Sequence, residues 1–442
     1  MMLKALKGYE RPPVVKIGDA HPDALFEGGL EYNPPARGVW NIVHTGMLIP
    51  EAHQIFCCAQ GCLRGVILTA AEMGALDRMS SISVSESDMF DGTLESSIVE
   101  GCCDILEKLD KKPPVVLLFL SCIHLFAGVD FKDVIRQLSE RWKDIHFTDC
   151  YMTPTMRKTI SPDAKMRCQL YEPLKAVPLD PGSVNIIGCD RPTDEESELV
   201  EIIKENGFDL RDITLCDTYE EYQQMAQASL HITYLPAAFT AGEKLAQRMG
   251  AKHLYLPNSF DFDQIEKNLS CLCEALGAAL PDLEEKKQQA IKALEDTLDI
   301  VEDTKIVIDF TAVTRPFELA KLLIQRGFNV GAVINDSVSQ EELSAFEWLK
   351  ENRPQLEIIS AVNVNMLHSP EEDHGEILAI GQKAAHYFAT DNFVNIVANG
   401  GLYGFTGIVK LCELMKDACL HQKDRRTLIS HKGIGCYSCL EG

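Results

Sequence analysis

The sequence predicts an α/β protein built from parallel sheets. Predicted strands and helices alternate along the chain, and several of the strands are continuous apolar runs. Pro114–Cys122 (PVVLLFLSC) is the most apolar of these runs. A strand has this composition when helices cover both of its faces, because neither face then meets water. The chain has 442 residues and is too long for a single hydrophobic core, so more than one such unit is expected.

Three series of elements define the predicted units. The first contains Pro114–Cys122, a helix over Asp130–Arg141 and a strand at Ile145–Cys150. The second contains, in order, Ser183–Asp190, a helix over Asp194–Asn206, Asp212–Cys216 and Leu230–Leu235. The third contains Lys305–Phe310, a helix over Thr314–Arg326, Asn329–Ile334, Leu356–Val362 and Phe393–Ala398. We therefore predict three Rossmann-like parallel-sheet units, at 1–182, 183–300 and 301–442, around a central cleft.

Composition excludes several classes of function. The formal net charge of −24 argues against nucleic-acid binding, because phosphates would be repelled. No apolar run reaches the roughly 20 residues that a membrane-spanning helix needs. The first residues (MMLKALK) lack the apolar stretch and cleavage site of a signal peptide. We expect a cytoplasmic protein with neither nucleic-acid nor membrane partners.

The cysteines are the unusual feature of the composition. Sixteen cysteines in such a chain indicate reduced thiols or metal ligands rather than disulfides. Cys57, Cys58 and Cys62 lie where a predicted strand leads into a helix, and Cys122 ends the most apolar strand. Sites in α/β proteins form at such carboxyl ends of strands, and thiolates there can ligate iron. The alternative for each of them is a buried thiol without a ligand.

Nucleotide motifs are absent from the chain. It contains neither G-x-G-x-x-G after a first strand nor G-x-x-x-x-G-K-[ST], so any ATP would be hydrolysed by another chain. Near the end, Cys436 and Cys439 form a C-x-x-C pair. Such a pair is a redox dithiol, half of a metal site, or part of a terminal tail without either role.

Several motifs together resemble the molybdenum–iron protein subunits of nitrogenase (nitrogenase component 1). Ala59–Cys62 resembles the second cluster-cysteine motif of that family, and Val84–Gly92 resembles its acidic segment. Cys122, followed by Gly128 and Asp130, resembles the third cysteine motif. Gly404–Gly407 is similar to the family's Gly-Tyr-x-Gly helix start. The motifs span about 30–420 in the order of the family.

The resemblance implies a function. It implies that Cys62 and Cys122 ligate an iron–sulfur cluster, with electrons supplied by an ATP-dependent [4Fe–4S] reductase. The electrons would pass to a small molecule, of the tetrapyrrole or thioether type that nitrogenase-like relatives reduce. It also implies an oligomer, formed with a homologous sister subunit or with a second copy of the chain.

The sequence departs from the family at Val129, which replaces an Asp of the third cysteine motif, and at three expected metal ligands. The first cluster cysteine would fall near Arg37 or Gly38, so a [4Fe–4S] cluster is expected in place of the family's eight-iron P-cluster. Cys57 or Cys58 is the candidate replacement ligand; the alternatives for this double cysteine are a redox pair and an inert pair. The cysteine and histidine that hold the iron–molybdenum cofactor correspond to Leu235 and Tyr403, so that cofactor is not expected.

Two other roles stay open at this point. If the chain does not transfer electrons, it would instead be a scaffold for metal-cluster assembly or a non-catalytic partner subunit. The sequence does not name the substrate or distinguish a homodimer from a heterotetramer.

Overall fold

A computed structural model describes residues 13–36, 38–39, 41–153, 160–371 and 374–430. Its strands are β1 (Val14–Lys16), β2 (His53–Ala59), β3 (Met79–Val84), β4 (Val115–Ser121), β5 (His146–Met152), β6 (Asp180–Ile186), β7 (Asp209–Asp212), β8 (Ala228–Thr233), β9 (Lys252–Tyr255), β10 (Lys305–Asp309), β11 (Val330–Ile334), β12 (Glu357–Ile359), β13 (Ile377–Ile380) and β14 (Phe393–Val394).

The α-helices alternate with these strands. They are α1 (Ile42–Gly46), α2 (Gln60–Glu72), α3 (Glu86–Phe90), α4 (Leu94–Lys108), α5 (Cys122–Phe126), α6 (Phe131–Arg141), α7 (Pro162–Tyr171), α8 (Glu198–Glu205), α9 (Tyr219–Gln224), α10 (Phe239–Met249), α11 (Phe262–Leu276), α12 (Glu284–Val301), α13 (Pro316–Gln325), α14 (Leu343–Asn352), α15 (Gln382–Tyr387), α16 (Gly404–Leu420) and α17 (Arg425–Ser430).

The first sheet has the strand order β3-β2-β4-β5, and all its strands are parallel. Every residue of β4 is buried, as the apolar run predicted. One face of the sheet packs with α4 and α6, and the other packs with α2 and α7. The rings of Phe56 and Phe119 stack across β2 and β4, with centroids 4.3 Å apart. The core thus fixes the ends of both strands.

The second sheet has the order β7-β6-β8-β9 and is also parallel. The strand predicted at Asp212–Cys216 is wrong, because β7 ends at Asp212 and a 3₁₀ turn covers Ile213–Leu215. The carboxylate of Asp212 accepts a hydrogen bond from the backbone N–H of Thr214 and starts this turn. A side-chain hydrogen bond of this kind competes with strand pairing. The apolar residues that follow Asp212 give no sign of it in the sequence.

The third sheet has the order β1-β12-β11-β10-β13-β14. Its strands are parallel except β1, which pairs with β12 in the antiparallel sense. The prediction of an α/β fold with three sheet units is therefore confirmed. The sequence did not reveal β1, because three residues are too short to show a period.

The chain divides into two compact units. The C-terminal unit comprises the described residues of 1–39, 193–201 and 258–442 and contains the third sheet. The central unit comprises the described residues of 40–192 and 202–257 and contains the first two sheets. The boundaries at 182 and 300 and the central cleft stay predictions. Among the described residues, no helix combines the length and apolar character that crossing a bilayer requires.

Candidate functional site

Two of the candidate cysteines follow neighbouring strands of the first sheet. β2 and β4 are parallel neighbours, with Cys57 opposite Leu120. Cys62 lies in the first turn of α2, directly after β2, and Cys122 is the first residue of α5, directly after β4. The carboxyl ends of parallel strands lie at one edge of a sheet. Cys62 and Cys122 therefore belong to the same edge, although 59 residues separate them in the sequence.

The two thiols at this edge are accessible. Cys62 is exposed, and Cys122 is partly exposed. The Cys122 thiol lies 3.9 Å from the carbonyl oxygen of Met152, the last residue of β5, and can donate to it. Both residues are thus open to solvent at least in part.

The other two candidates are buried within β2. Cys57 and Cys58 point to opposite faces of the sheet, Cys57 into the core beneath α4 and α6 and Cys58 into the core beneath α2. Burial raises the pKa of each thiol to about 12, so both are protonated at neutral pH. Their role as cluster ligands stays a prediction, and it would require the core to open around a neutral thiol.

A buried histidine connects β2 to α5. His124 Nδ1 accepts a hydrogen bond from the backbone N–H of Ser121, at 3.3 Å. Burial lowers the pKa of His124, so the ring is neutral and its proton lies on Nε2. That Nε2–H donates to Cys57 Sγ at 3.6 Å. The sequence patterns gave no sign of this contact.

The part of the chain that the structure describes contains no group of three or more His, Cys, Asp and Glu side chains arranged to hold a metal ion. Cys436 and Cys439 lie outside the described residues, as does Arg37. Within the described ranges, this edge therefore offers two accessible thiols rather than a complete ligand set.

A family model settles the classification. The model of the nitrogenase component 1 type oxidoreductases matches residues 43–419. The chain belongs to this family. No curated protein sequence matches it at a significant level.

Solved structures agree with the family. "Nitrogenase Cp1 at pH 6.5" has a TM-score of 0.67 and 16% identity, covering 91% of this chain and 96% of that one. "Nitrogenase Cp1 at pH 5" has a TM-score of 0.56 and 13% identity, covering 92% and 93%. At such identities the likeness shows the fold alone. The predicted nitrogenase component 1-like fold is thus confirmed.

The two positions that correspond to the family's ligands of the iron–molybdenum cofactor carry packed side chains. Leu235 is buried two residues after the end of β8, directly before a 3₁₀ turn. Tyr403 is also buried, and burial raises the pKa of its hydroxyl group, which is hydrogen-bonded to Asn268. A leucine has no metal-binding atom, and a neutral buried phenol is a poor one. Neither side chain fits the iron–molybdenum cofactor of nitrogenase.

The glycine-rich start of α16 is explained by a buried carboxylate. Glu198 Oε1 accepts hydrogen bonds from the backbone N–H and the hydroxyl of Thr406, both at 2.9 Å. Gly404 has a φ of +71°, and a Cβ atom there would collide with Glu198 Oε2. The glycine at the start of the nitrogenase-like Gly404–Gly407 motif thus lets the backbone approach the Glu198 carboxylate closely. Nothing in the sequence indicated that Glu198 is its partner.

Large apolar side chains are exposed around the cysteine edge. Phe90 ends α3, after β3, and is 88% exposed; Phe126 ends α5, after β4, and is 73% exposed. Leu125 is exposed on α5 as well. Together with Met89 these residues form what we call the apolar rim, which follows β3 and β4, the two strands that flank β2. Several large apolar side chains exposed in one region indicate a surface that a partner covers.

Proposed function

We propose that this chain is a redox subunit of a nitrogenase-like oxidoreductase and that Cys62 and Cys122 are ligands of its iron–sulfur cluster. The observation that carries the proposal is their position after neighbouring parallel strands, at one sheet edge with both thiols accessible. Membership of the nitrogenase component 1 family supports an iron–sulfur cluster in general terms.

The donor set fits a cluster shared between subunits. A [4Fe–4S] cluster takes four cysteine thiolates, and this edge supplies two accessible ones. A homologous sister subunit, or a second copy of the chain, would supply the others. The apolar rim supports this arrangement, because docking there would bury Phe90 and Phe126 and exclude water from the thiols. The cluster would supply one-electron storage.

Electrons come, in this proposal, from an ATP-dependent [4Fe–4S] reductase. The chain has no P-loop, so the energy of ATP has to be coupled by another protein. The electron acceptor is a small molecule of the tetrapyrrole or thioether type. Leu235 and Tyr403 do not fit an iron–molybdenum cofactor, so dinitrogen reduction is not part of the proposal.

Anaerobic reduction by the donor tests this function. The protein is mixed with a nitrogenase-type ATP-dependent reductase, and electron paramagnetic resonance follows the cluster with MgATP or with MgADP. We expect reduction with MgATP, and not with MgADP, in the wild type and in Cys271→Ser, whose cysteine lies on α11 in the C-terminal unit. Cys62→Ser should accept no electrons. A cluster that the donor cannot reduce would exclude the redox role.

A second candidate function is a scaffold for cluster assembly. It is favoured by the buried side chains of Leu235 and Tyr403, which stand where the family's cofactor ligands would be. A scaffold gives its cluster away, whereas a redox subunit keeps it through many turnovers. Incubation of the ⁵⁷Fe-labelled protein with an apo-ferredoxin separates the two. Transfer of most of the label supports the scaffold, and retention of the label supports the redox subunit.

A further inference from the structure

A groove in the central unit has no part in the proposed electron transfer. Its volume is about 300 Å³, and its walls come from β5, α7 and α10. The side chains of Ala241, Leu245 and Tyr171 form its apolar part. A water molecule occupies roughly 30 Å³ in the liquid, so the groove has room for a small metabolite.

Three cations and two carboxylates line this groove, so its formal charge is positive in a chain whose net charge is −24. Lys165, Lys244 and Arg248 line it, together with the carboxylates of Asp149 and Glu172. Both carboxylates are engaged by protein groups: Asp149 accepts from Tyr151 and Gln169, and Glu172 accepts from His146 and Thr148.

The cations of the groove differ in how far they are engaged. Arg248 donates to the backbone carbonyls of Tyr171 and Glu172. Lys165 lies over the ring of Tyr151, with Nζ 5.1 Å from the centroid, which leaves its N–H groups to bind an acceptor. Lys244 is exposed and forms no ion pair within the described part of the chain. Two ammonium groups are therefore available to an anion.

The pKa of the Cys168 thiol reflects the positive charges of these two ammonium groups. Its thiol lines the groove, and burial raises its pKa, while Lys244 and Lys165 oppose that rise. Both lysines are thus close enough to favour a negative charge at the position of this sulfur. A ligand anion in the groove would experience the same field.

An unpaired acceptor lies beside them. Gln169 is 4% exposed and lines the groove, and its Nε2 donates to Asp149 at 3.1 Å. Its Oε1 is buried and has no hydrogen-bond partner among the described residues. Leaving such an acceptor unpaired is unfavourable, so a ligand whose hydroxyl group reaches it would gain affinity.

We propose that this groove binds a small organic anion whose carboxylate or phosphate group pairs with Lys165 and Lys244 and whose hydroxyl group donates to Gln169. The proposal is independent of the cluster. The cationic side chains would bind the charged group, and the apolar wall would contact the carbon skeleton. The unpaired amide oxygen would select a hydroxylated ligand.

Calorimetry on the full chain tests the proposal with four probes that share a three-carbon skeleton. Glycerol 3-phosphate and glycerate carry hydroxyl groups and differ in the anion, propyl phosphate lacks hydroxyl groups, and glycerol lacks charge. We expect saturable binding of glycerol 3-phosphate or glycerate, weaker binding of propyl phosphate, and none of glycerol. The anion that binds more tightly identifies the class of ligand. Failure of both hydroxylated anions to bind would overturn the proposal.

Variants locate the binding. Lys244→Gln and Lys165→Gln should each weaken it about tenfold, the loss expected for one charge-assisted hydrogen bond. Lys244 is exposed, so its variant should fold even if Lys165→Gln does not. Lys252→Gln removes the same charge from β9, outside the groove, and should bind as the wild type does. Binding unaffected by both groove variants would place the anion elsewhere and contradict the proposal.

Discussion

The Sγ atom of Cys57 lies 3.6 Å from Nε2 of His124, and both side chains are buried. The contact joins β2, which leads to Cys62, to α5, which begins at Cys122. It therefore ties the helix that begins at Cys122 to the strand that precedes Cys62. We propose that Cys57 acts in this way as a positioning residue, through His124.

Removal of the Cys57 thiol tests this role. Cys57→Ala leaves the buried Nε2–H of His124 without an acceptor, which costs about 1–3 kcal/mol. Cys102→Ala is the matched control, because Cys102 is equally buried in the same apolar cluster. Urea unfolding should show the larger loss for Cys57→Ala, with the iron content retained. Equal losses in the two variants would mean that the contact adds nothing beyond packing.

Gly404 should tolerate no side chain. Gly404 and Gly128 both have a φ of +71°, but a Cβ at Gly128 meets no atom within 4 Å. Gly128→Ala should therefore cost only the backbone strain, about 1–2 kcal/mol. Gly404→Ala should cost at least about 1 kcal/mol more, because Glu198 has to leave Thr406. Thermal unfolding of the two variants measures the difference, and equal costs would contradict the close approach.

Glu342 should make the C-terminal unit less stable as the pH rises. Burial raises the pKa of Glu342 to about 7, while its oxygens accept from Phe317 N–H and the Ser339 hydroxyl. The folded state holds this proton more tightly than the unfolded state, so the stabilisation present below about pH 4.5 is lost as the pH rises through 7.

Glu342→Gln removes that dependence. Relative to the wild type, its free energy of unfolding should rise between pH 5 and pH 8 by up to roughly 3 kcal/mol. The exposed Glu347 on α14 provides the control, since Glu347→Gln should change the pH profile little. Denaturant unfolding across this pH range measures the effect. Parallel profiles for wild type and Glu342→Gln would show that Glu342 is ionised in the folded protein.

The apolar rim should hold the assembly together. Burying a phenylalanine side chain contributes about 1.5–3 kcal/mol, so Phe126→Ser should weaken association at least about tenfold. Leu420→Ser changes a similarly exposed residue at the end of α16 and should leave association unchanged. Sedimentation of the purified assembly measures the dissociation constant. Unchanged association of a Phe90→Ser, Phe126→Ser double variant would place the interface elsewhere.

Sequence patterns predicted the elements that contain a long apolar run. β4 is such an element, and the position of Cys122 at its end followed from it. Short or locally determined elements were missed or wrong: β1 has only three residues, and the turn after Asp212 depends on one side-chain hydrogen bond.

Contacts between distant residues could not be predicted. The partners Cys57 and His124 are 67 residues apart, and Glu198 and Thr406 are 208 apart. Neither pair leaves a periodic signal in the sequence, because each depends on how separate elements pack. The groove of Lys165 and Lys244 is similar, since each lysine alone is typical of a solvated helix face.

The iron content of the anaerobically purified protein tests the central claim most directly. Wild-type protein and Cys271→Ser should contain about four irons for each [4Fe–4S] cluster and show its absorption. Cys62→Ser and Cys122→Ser should each lose most of this iron, because serine is a poor ligand for iron–sulfur clusters. Full retention of iron in both variants would contradict the claim that these two cysteines hold the cluster.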